Sequence, residues 1–173
     1  MWDFFETVRY RHSVRKYQSD MPVESEKLHA VLEMACAAPS AGDLQAYRIV
    51  VVQNQAQREA LRQAAHDQTF IAAAPVCLVF CSDPRRSAQQ YGTRGETLYA
   101  LQDATIAAAY AQLAIVAAGM ASTWVGSFDE DAVAKILKLD NGIIPVALLS
   151  LGYPAELPEP TPRRRMDEVV KYL

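Results

Sequence analysis

An alanine-rich, apolar stretch from Leu98 to Ala118 constrains the fold of this 173-residue chain more than any other feature. Its apolar residues lie almost all round a helix, so a helix formed here must be packed on more than one side. The chain is long enough for one domain with a real core. In so small a chain, covering both faces of this helix predicts a partner subunit. Gly119 is expected to end the helix as its C-terminal cap.

The rest of the chain alternates predicted strands with predicted helices. Runs of β-branched and aliphatic residues predict strands at 47–53, 76–80, 122–125 and 146–151. Apolar residues at helical spacing predict helices at 2–10, 24–37, 55–68 and 129–137. Either Ser127 or Asp129 is expected to cap the last of these helices. Gly-x-Gly-x-x-Gly and P-loop patterns do not occur, so neither a Rossmann nor a P-loop nucleotide site is supported.

Two segments are predicted to lack regular structure. The polar, glycine-punctuated span from Arg85 to Gly95 is expected to be a mobile surface loop. Residues 153–162 carry four prolines, which favour an extended arm that cannot join the interior of a sheet. The arm leads through three arginines to an apolar end at Val169, Val170, Tyr172 and Leu173. Because that end needs a surface, we expect residues 153–173 to dock on the partner subunit.

Composition excludes several classes of function. The formal net charge is −3, which gives no basic excess for binding nucleic acid. The first residues lack the pattern of a signal peptide, and Gln112 and Gly119 interrupt the longest apolar run, so no membrane span is predicted. The three cysteines and three histidines have no metal-ligand spacing. Cys36, Cys77 and Cys81 are therefore interpreted as reduced, mostly buried thiols of a cytoplasmic protein without a metal.

The stretch RHSVR at residues 11–15 is the clearest candidate for a binding site. If it is extended, side chains two apart point the same way, so Arg11, Ser13 and Arg15 share one face while His12 and Val14 face the other. Two guanidiniums beside a hydroxyl suit a phosphate or a carboxylate. The alternative interpretation is a solvated basic patch at the end of a short amphipathic helix.

Four stretches resemble, in order, the FMN-dependent nitroreductase family. They are RHSVR at 11–15, APSAGDLQAY at 38–47, STWVGSFD at 122–129, and LGYPAE at 151–156 with the arginines that follow. A single short motif often matches by chance. The four together span nearly the whole chain, so the resemblance is specific.

This resemblance implies an α+β fold with a mostly antiparallel central sheet flanked by helices. It also implies an intertwined homodimer with an exchanged C-terminal segment, and FMN at the dimer interface in contact with both chains. These expectations agree with two features that the sequence alone indicates. The long helix has apolar residues almost all round it, and the arm has an apolar end that needs a surface.

By position, the resemblance assigns three groups of residues to FMN. The phosphate and ribityl end, or the pyrimidine edge, is expected to be held by Arg11, His12, Ser13 and Arg15, with Arg163 and Arg164 as a second basic contact. A loop from the other subunit is expected to pass beside the ring, with Pro39, Ser40, Ala41, Gly42, Asp43 and Gln45. Flavin N5 is expected to face the backbone N–H groups of Gly126 and Ser127, which follow Val125. A donor there stabilises charge on the reduced ring.

Three positions depart from the family pattern. Asp43 replaces the usual asparagine, Ala46 a common proline and Tyr47 a common tryptophan. The changes at Ala46 and Tyr47 are tolerable packing changes. An ionised Asp43 accepts hydrogen bonds but cannot donate one, and it opposes negative charge on a reduced ring. We therefore expect a lower flavin potential than in an Asp43→Asn variant.

The activity implied is that of an FMN-dependent oxidoreductase with a ping-pong mechanism. NADH or NADPH gives hydride to N5 and leaves, and a small-molecule electron acceptor (a nitroaromatic, a quinone or free flavin) enters the same pocket. No side chain has to act as nucleophile, and Tyr91, Tyr99 and Tyr110 are candidates for the substrate entrance. Two alternatives stay open: a flavin-binding sensor or store without turnover, and an anion-binding dimer without flavin.

Overall fold

The computed structural model describes residues 3–173, in which eight α-helices and four β-strands form. The helices are α1 Phe4–Tyr10, α2 Ser25–Cys36, α3 Gln55–Ala64, α4 Phe70–Ala73, α5 Pro84–Arg94, α6 Ala100–Ala117, α7 Glu130–Leu137 and α8 Met166–Val169. The strands are β1 Tyr47–Val52, β2 Val76–Ser82, β3 Ala121–Val125 and β4 Ile144–Gly152. All four predicted strands are present. The first residue of the predicted helix at 2–10, Trp2, lies outside the described residues.

The four strands form one antiparallel sheet in the order β1-β2-β4-β3. Every residue of β2 is buried, because β2 lies inside the sheet and helices cover both of its faces. Its side chains alternate between two cores, with Val76, Leu78 and Phe80 in one and Cys77, Val79 and Cys81 in the other. The fold is therefore α+β, with an antiparallel sheet between layers of helices, as the resemblance implied.

The two cores use different helices. Helices α2 and α6 pack on one face of the sheet, where small residues such as Ala107, Ala108 and Ala111 allow α6 to approach closely. Helices α3, α4 and α7 cover the other face. Burial raises the pKa of Cys77 and Cys81, both on this second side, to about 12, so both stay protonated at neutral pH. Cys36 is exposed.

Helix α6 has one buried and one exposed apolar face. Its buried side includes Ala104, Ala108 and Ile115, while Leu101 and Tyr110 are exposed. By length and composition alone, the helical run Pro84–Ala117 is apolar enough to cross a membrane, but half of its most apolar window is buried inside the fold. The core helix of a soluble protein has the same properties. Gly119, with φ of +78°, follows α6 in the left-handed conformation expected of a C-terminal glycine.

The prediction of a mobile loop from Arg85 to Gly95 is wrong. Asp83 caps a helix there by accepting a hydrogen bond from the Arg86 N–H at 3.2 Å, and Pro84 occupies the first turn. Gly92, with φ of +55°, kinks this helix instead of ending it, and a π-helical turn at Gly95–Tyr99 joins it to α6. The polar composition reflects an exposed helix face, and the glycines mark the kink and a close helix contact.

Between β4 and α8 the arm has no regular helix or strand, which agrees with its four prolines. It begins against the N-terminal segment, where the Ala155 N–H donates to the Lys16 carbonyl at 2.9 Å and the Gln18 amide donates to the Pro154 carbonyl at 2.9 Å. Beyond that point its apolar side chains are exposed, including Leu157, Met166, Tyr172 and Leu173. Docking of this arm on a partner stays a prediction.

Candidate active site

The RHSVR stretch follows α1 in extended conformation, beside the edge strand β3. Ser13 forms an isolated parallel bridge with Ser122, and the Val14 N–H donates to the Ser122 carbonyl at 3.2 Å. Val14 is buried in the core, while the side chains of Arg11 and Ser13 line a cavity on the opposite side. Val14 and the pair Arg11 and Ser13 thus face opposite ways as predicted, but His12 lines the same cavity as Arg11 and Ser13. The stretch begins directly after the last residue of α1, Tyr10, and is not itself helical.

Buried hydroxyl groups hold this stretch in place. The Val14 carbonyl accepts from the Thr123 hydroxyl and lies 2.8 Å from the Tyr17 hydroxyl. The Tyr17 hydroxyl also lies 2.9 Å from Ser150 Oγ and 3.0 Å from the Ser150 carbonyl oxygen. Burial raises the pKa of Tyr17 to about 12, so this hydroxyl remains a donor at neutral pH. The basic stretch is thus fixed to the two strands β3 and β4.

Five of the predicted FMN contacts line one cavity of about 190 Å³: Arg11, His12, Ser13, Arg15 and Arg163. Its other lining residues come from the arm and are Pro158, Glu159 and Thr161. Arg163 reaches the cavity from the far end of the sequence, with its guanidinium donating to the Thr161 hydroxyl at 2.6 Å. The arm is held there by Glu156, whose carboxylate accepts from the Arg15 N–H at 2.9 Å.

The electrostatics of this cavity favour an anion. Burial, and then the nearby charge of Arg163, lower the pKa of Arg11. Within residues 3–173 the Arg11 guanidinium has no hydrogen bond or ion pair that would offset the repulsion from Arg163. Arg15 lies over the Phe70 ring at 5.7 Å, a contact that leaves its N–H groups free for a ligand. A phosphate between these guanidiniums would relieve the repulsion and accept charge-assisted hydrogen bonds.

Arg164 does not join the cavity. Its guanidinium lies 3.3 Å from a carboxylate oxygen of Glu168 and donates to the Glu168 carbonyl at 2.9 Å. Both acceptor atoms belong to Glu168 on α8 of the same chain, so the Arg164 guanidinium stabilises the local structure of the arm.

The second predicted group forms a tight loop between α2 and β1. Ala41–Asp43 form a 3₁₀ turn, and Gly42, Asp43 and Gln45 all have positive φ, between +45° and +57°. The Gln45 side chain stabilises this path, because its amide donates to a carboxylate oxygen of Asp43 at 2.5 Å. Ser40 contributes as well, since its hydroxyl accepts from the Gln45 N–H at 2.9 Å.

A buried aspartate on α6 anchors the loop, and sequence reasoning missed it. Asp103 is only 1% exposed, and its two carboxylate oxygens accept from the Ala41 N–H at 2.9 Å and the Ala46 N–H at 3.1 Å. The available signal was an acidic residue inside an otherwise apolar helix. Such a residue needs hydrogen-bond donors, because a buried carboxylate without them is costly.

Residues of α5 and the π-helical turn cover the same loop. The Tyr91 hydroxyl lies so close to Gly42 that a Cβ there would be 2.4 Å away. Tyr91 packs edge-on against Tyr99 with 5.1 Å between ring centroids, and the Tyr99 hydroxyl accepts from Arg94 Nε at 3.0 Å. Two of the three tyrosines proposed for a substrate entrance, Tyr91 and Tyr99, therefore pack together, and Tyr91 lies against the loop at Gly42. Tyr110 is exposed farther along α6.

The third predicted group lies at the end of β3. Gly126 lines a cavity of about 520 Å³, together with Glu96 of the π-helical turn, Leu101 of α6, and Phe128 and Glu130 from the segment after β3. Val125 is buried in the core and Ser127 is exposed. Asp129, rather than Ser127, caps α7 by accepting from the Ala132 N–H at 2.9 Å. The Ser127 N–H is therefore not used by that cap.

A single chain thus keeps the three groups apart. The basic cavity contains no residue of the loop at 39–45, and Gly126 lines a different cavity. In the part of the chain that the structure describes, no group of three or more His, Cys, Asp or Glu residues is arranged to hold a metal ion.

Comparison with known proteins decides the family. The sequence model of the nitroreductase family matches residues 8–72 and 66–153, which include three of the four motifs and part of the fourth. The chain belongs to the nitroreductase family. Nitroreductase-family proteins of known sequence and structure resemble it over almost its whole length.

Three relatives illustrate the range of this nitroreductase-family likeness. An NADH dehydrogenase of Thermus thermophilus is 35% identical, over 92% of this chain and 91% of that protein. An oxygen-insensitive NADPH nitroreductase of Salmonella typhimurium is 28% identical, over 92% of this chain and 69% of that protein. The NADPH:FMN oxidoreductase of Vibrio harveyi, solved in complex with NAD⁺, superposes with a TM-score of 0.89 at 28% identity, covering 97% of this chain and 76% of that one.

Proposed function

We propose that this member of the nitroreductase family is an NAD(P)H-dependent FMN oxidoreductase. It takes hydride from NADH or NADPH and passes it to a nitroaromatic, a quinone or a similar small acceptor by a ping-pong mechanism. The observation that carries the proposal is the convergence of Arg11, Ser13, Arg15 and Arg163 on one cavity. The names of the relatives, which include an NADPH:FMN oxidoreductase and an NADPH nitroreductase, support the cofactor and the donor.

The residues of the cavity fit a flavin phosphate by their chemistry. Guanidiniums of Arg11, Arg15 and Arg163 would neutralise the phosphate, and Ser13 would offer it a hydroxyl. His12 lines both this cavity and the adjoining apolar one, a position suited to the ribityl chain. When bound, the flavin would supply the two-electron chemistry that no side-chain constellation here provides.

The remaining assigned residues would act on the ring. The N–H groups of Gly126 and Ser127, which follow β3, would donate to the ring where negative charge develops in reduction and would stabilise that charge. The cavity beside Gly126 would admit the donor and then the acceptor, and Leu101 and Phe128 would exclude water from it. Use of one cavity by both substrates is the reason for a ping-pong order.

We further propose a homodimer in which the loop at 39–45 serves the flavin of the partner. Exposed apolar residues support it: Phe4, Phe5 and Val8 on α1, Leu101 and Tyr110 on α6, and the end of the arm. A monomer rarely leaves so many large apolar side chains in water. Sedimentation equilibrium would test the dimer. Reduced thiols agree with a cytoplasmic location, which fractionation would test.

The deciding experiment is an anaerobic visible spectrum of the purified protein with FMN, before and after addition of NADH or NADPH. We expect a flavin spectrum that bleaches with a donor and recovers when menadione or nitrofurazone is added. A flavin spectrum that resists both donors would favour a sensor or store without turnover. A protein that takes up no FMN would overturn the proposal.

A further inference from the structure

A second cavity lined by arginines lies at one end of the sheet. Three guanidiniums surround it: Arg48 of β1, and Arg85 and Arg86 of the first turn of α5. Its volume is about 330 Å³, and the turn before β4, residues 140–143, forms the facing wall. This cavity has no residue in common with the one that holds Arg11 and Arg163.

Two of these three arginines have partners, and the third does not. Arg48 forms an ion pair with Asp140 at 2.8 Å, and Arg86 Nε donates to the Leu44 carbonyl. Arg85 has neither a hydrogen bond nor an ion pair in residues 3–173. Its guanidinium instead covers Gly142, where a Cβ would lie 2.9 Å from Nε. The positive φ of Gly142 and its missing side chain thus make room for a guanidinium without a counter-charge.

The carboxylates at this cavity do not cancel its positive charge. Asp140 is shared with Arg48, and Asp83 accepts from the Arg86 N–H as the cap of α5. Three guanidiniums against two carboxylates leave one positive charge, centred on Arg85. The first turn of α5 adds the partial positive charge of a helix N-terminus to it.

Arg86 links this cavity to the proposed active site. The carbonyl that it binds belongs to Leu44, in the loop expected to pass beside the flavin ring. A ligand group bound at Arg85 would therefore lie next to Arg86, which itself contacts the loop. The proposed donor, NADH or NADPH, carries phosphates that extend away from its nicotinamide, and the chain has no glycine-rich fingerprint to bind them. Side-chain cations such as Arg85 are suited to that role.

We infer that the cavity of Arg48, Arg85 and Arg86 binds a phosphate group of the nicotinamide dinucleotide donor. This inference rests on the proposed function. The phosphate has two possible sources, the pyrophosphate common to NADH and NADPH or the 2′-phosphate of NADPH. The unpaired, planar guanidinium of Arg85 would bind that group. Arg48 and Arg86 add positive charge to the cavity, and Arg86 connects the cavity to the loop.

The test measures donor binding in Arg85→Gln and separates it from flavin binding. Stopped-flow reduction of the FMN-loaded protein at increasing NADH and NADPH gives a dissociation constant for each donor. Removing one charge-assisted contact is expected to weaken binding about tenfold. Arg85→Lys, which keeps the charge but loses the fork, is expected to weaken it less. Lys135→Gln, an exposed charge change on α7, is the matched control and should have no effect.

A second readout does not depend on turnover. Calorimetric titration of the FMN-loaded protein with adenosine 2′,5′-bisphosphate and with ADP presents the two phosphate types separately. Weaker binding of NADPH and of the 2′,5′-bisphosphate alone in Arg85→Gln would assign the 2′-phosphate. Weaker binding of both donors and of ADP would assign the pyrophosphate.

Failure of this inference and failure of the proposed function give different results. If the wild type is reduced normally and Arg85→Gln binds both donors and both nucleotides as the wild type does, this inference is overturned and the proposed function stands. If the wild type binds FMN but is reduced by neither donor and binds neither nucleotide, both are overturned.

Discussion

Two segments that we assign to the flavin are held to the protein in contrasting ways. The RHSVR stretch runs along β3 and is fixed by several neutral hydroxyls, those of Tyr17, Thr123 and Ser150. The loop at 39–45 is anchored to α6 by a single charged group, the carboxylate of Asp103. In the first arrangement several hydrogen bonds between neutral groups hold the segment. In the second, one charged residue accepts the hydrogen bonds that hold the loop. Substitutions in the two anchors should therefore differ in severity.

The largest effect is expected from Asp103→Ala. This change leaves the N–H groups of Ala41 and Ala46 without acceptors, and Ala46 is fully buried, so the free energy of unfolding should fall by about 3 kcal/mol. Urea denaturation followed by circular dichroism would measure it. Asp103→Asn keeps one acceptor oxygen and should recover about half of the loss. Equal stability of wild type and Asp103→Ala would contradict the single-anchor account.

Arg11→Gln should act on the ligand rather than on the fold. Because Arg11 faces Arg163 across the cavity, its removal relieves repulsion in the free protein but takes a charged donor from the phosphate. We expect FMN to bind about 30-fold more weakly, with little change for riboflavin, which has no phosphate. Fluorescence titration of the apoprotein with both flavins measures this, and Arg9→Gln on α1 is the control. An equal loss for riboflavin would place the phosphate elsewhere.

Tyr17→Phe should cost less than Asp103→Ala, because it removes one of several neutral hydroxyls. We expect a loss of about 1 kcal/mol in the free energy of unfolding at pH 7. Folding raises the pKa of Tyr17 from its ordinary 10 to about 12, so its contribution is intact below pH 10 and is lost as the pH rises towards 12. The difference between wild type and Tyr17→Phe should therefore shrink above pH 10. Urea denaturation at pH 7 to 11 would show it; a difference that grows above pH 10 would refute this role.

The smallest effect is expected from Asp43→Asn in the loop itself. An exposed charge near the ring is worth about 0.5–1 kcal/mol, so its removal should raise the two-electron potential of bound FMN by about 10–20 mV. The left-handed backbone at Asp43, with φ of +56°, tolerates asparagine equally well, so the fold should not change. Spectroscopic titration against a reference dye would measure the shift. Coinciding potentials of the two proteins would show that Asp43 does not act on the ring.

Local pattern was enough to predict the strands, because each is a run of β-branched and aliphatic residues buried on a sheet. It was also enough to predict that RHSVR is extended with Val14 on the core side, but it placed His12 on that side too, whereas His12 lines the cavity with Arg11 and Ser13. It failed at 85–95, where Gly92 looked like a break, because whether a glycine kinks a helix or ends it depends on tertiary packing. Tyr91 against Gly42 is such a contact, and no periodicity signals it.

Long-range polar contacts were equally impossible to predict from local sequence pattern. Asp103 meets residues about sixty positions earlier in the chain, and a single sequence offers no measure of that proximity. Arg164 shows the reverse case, because a motif position gives a residue type and not its partner. Its pairing with Glu168 follows only from the short helix that ends the arm.

The cavity of Arg11 and Arg163 joins segments from opposite ends of the sequence, which affects how the protein matures. A nascent chain can form the sheet strand by strand, but it holds only half of this anion site until translation has passed residue 163. Under the proposed function, the full set of phosphate contacts would therefore exist only after the arm has been synthesised. A chain that lacked the arm would contain all four strands of the sheet but only half of the residues that line this anion site.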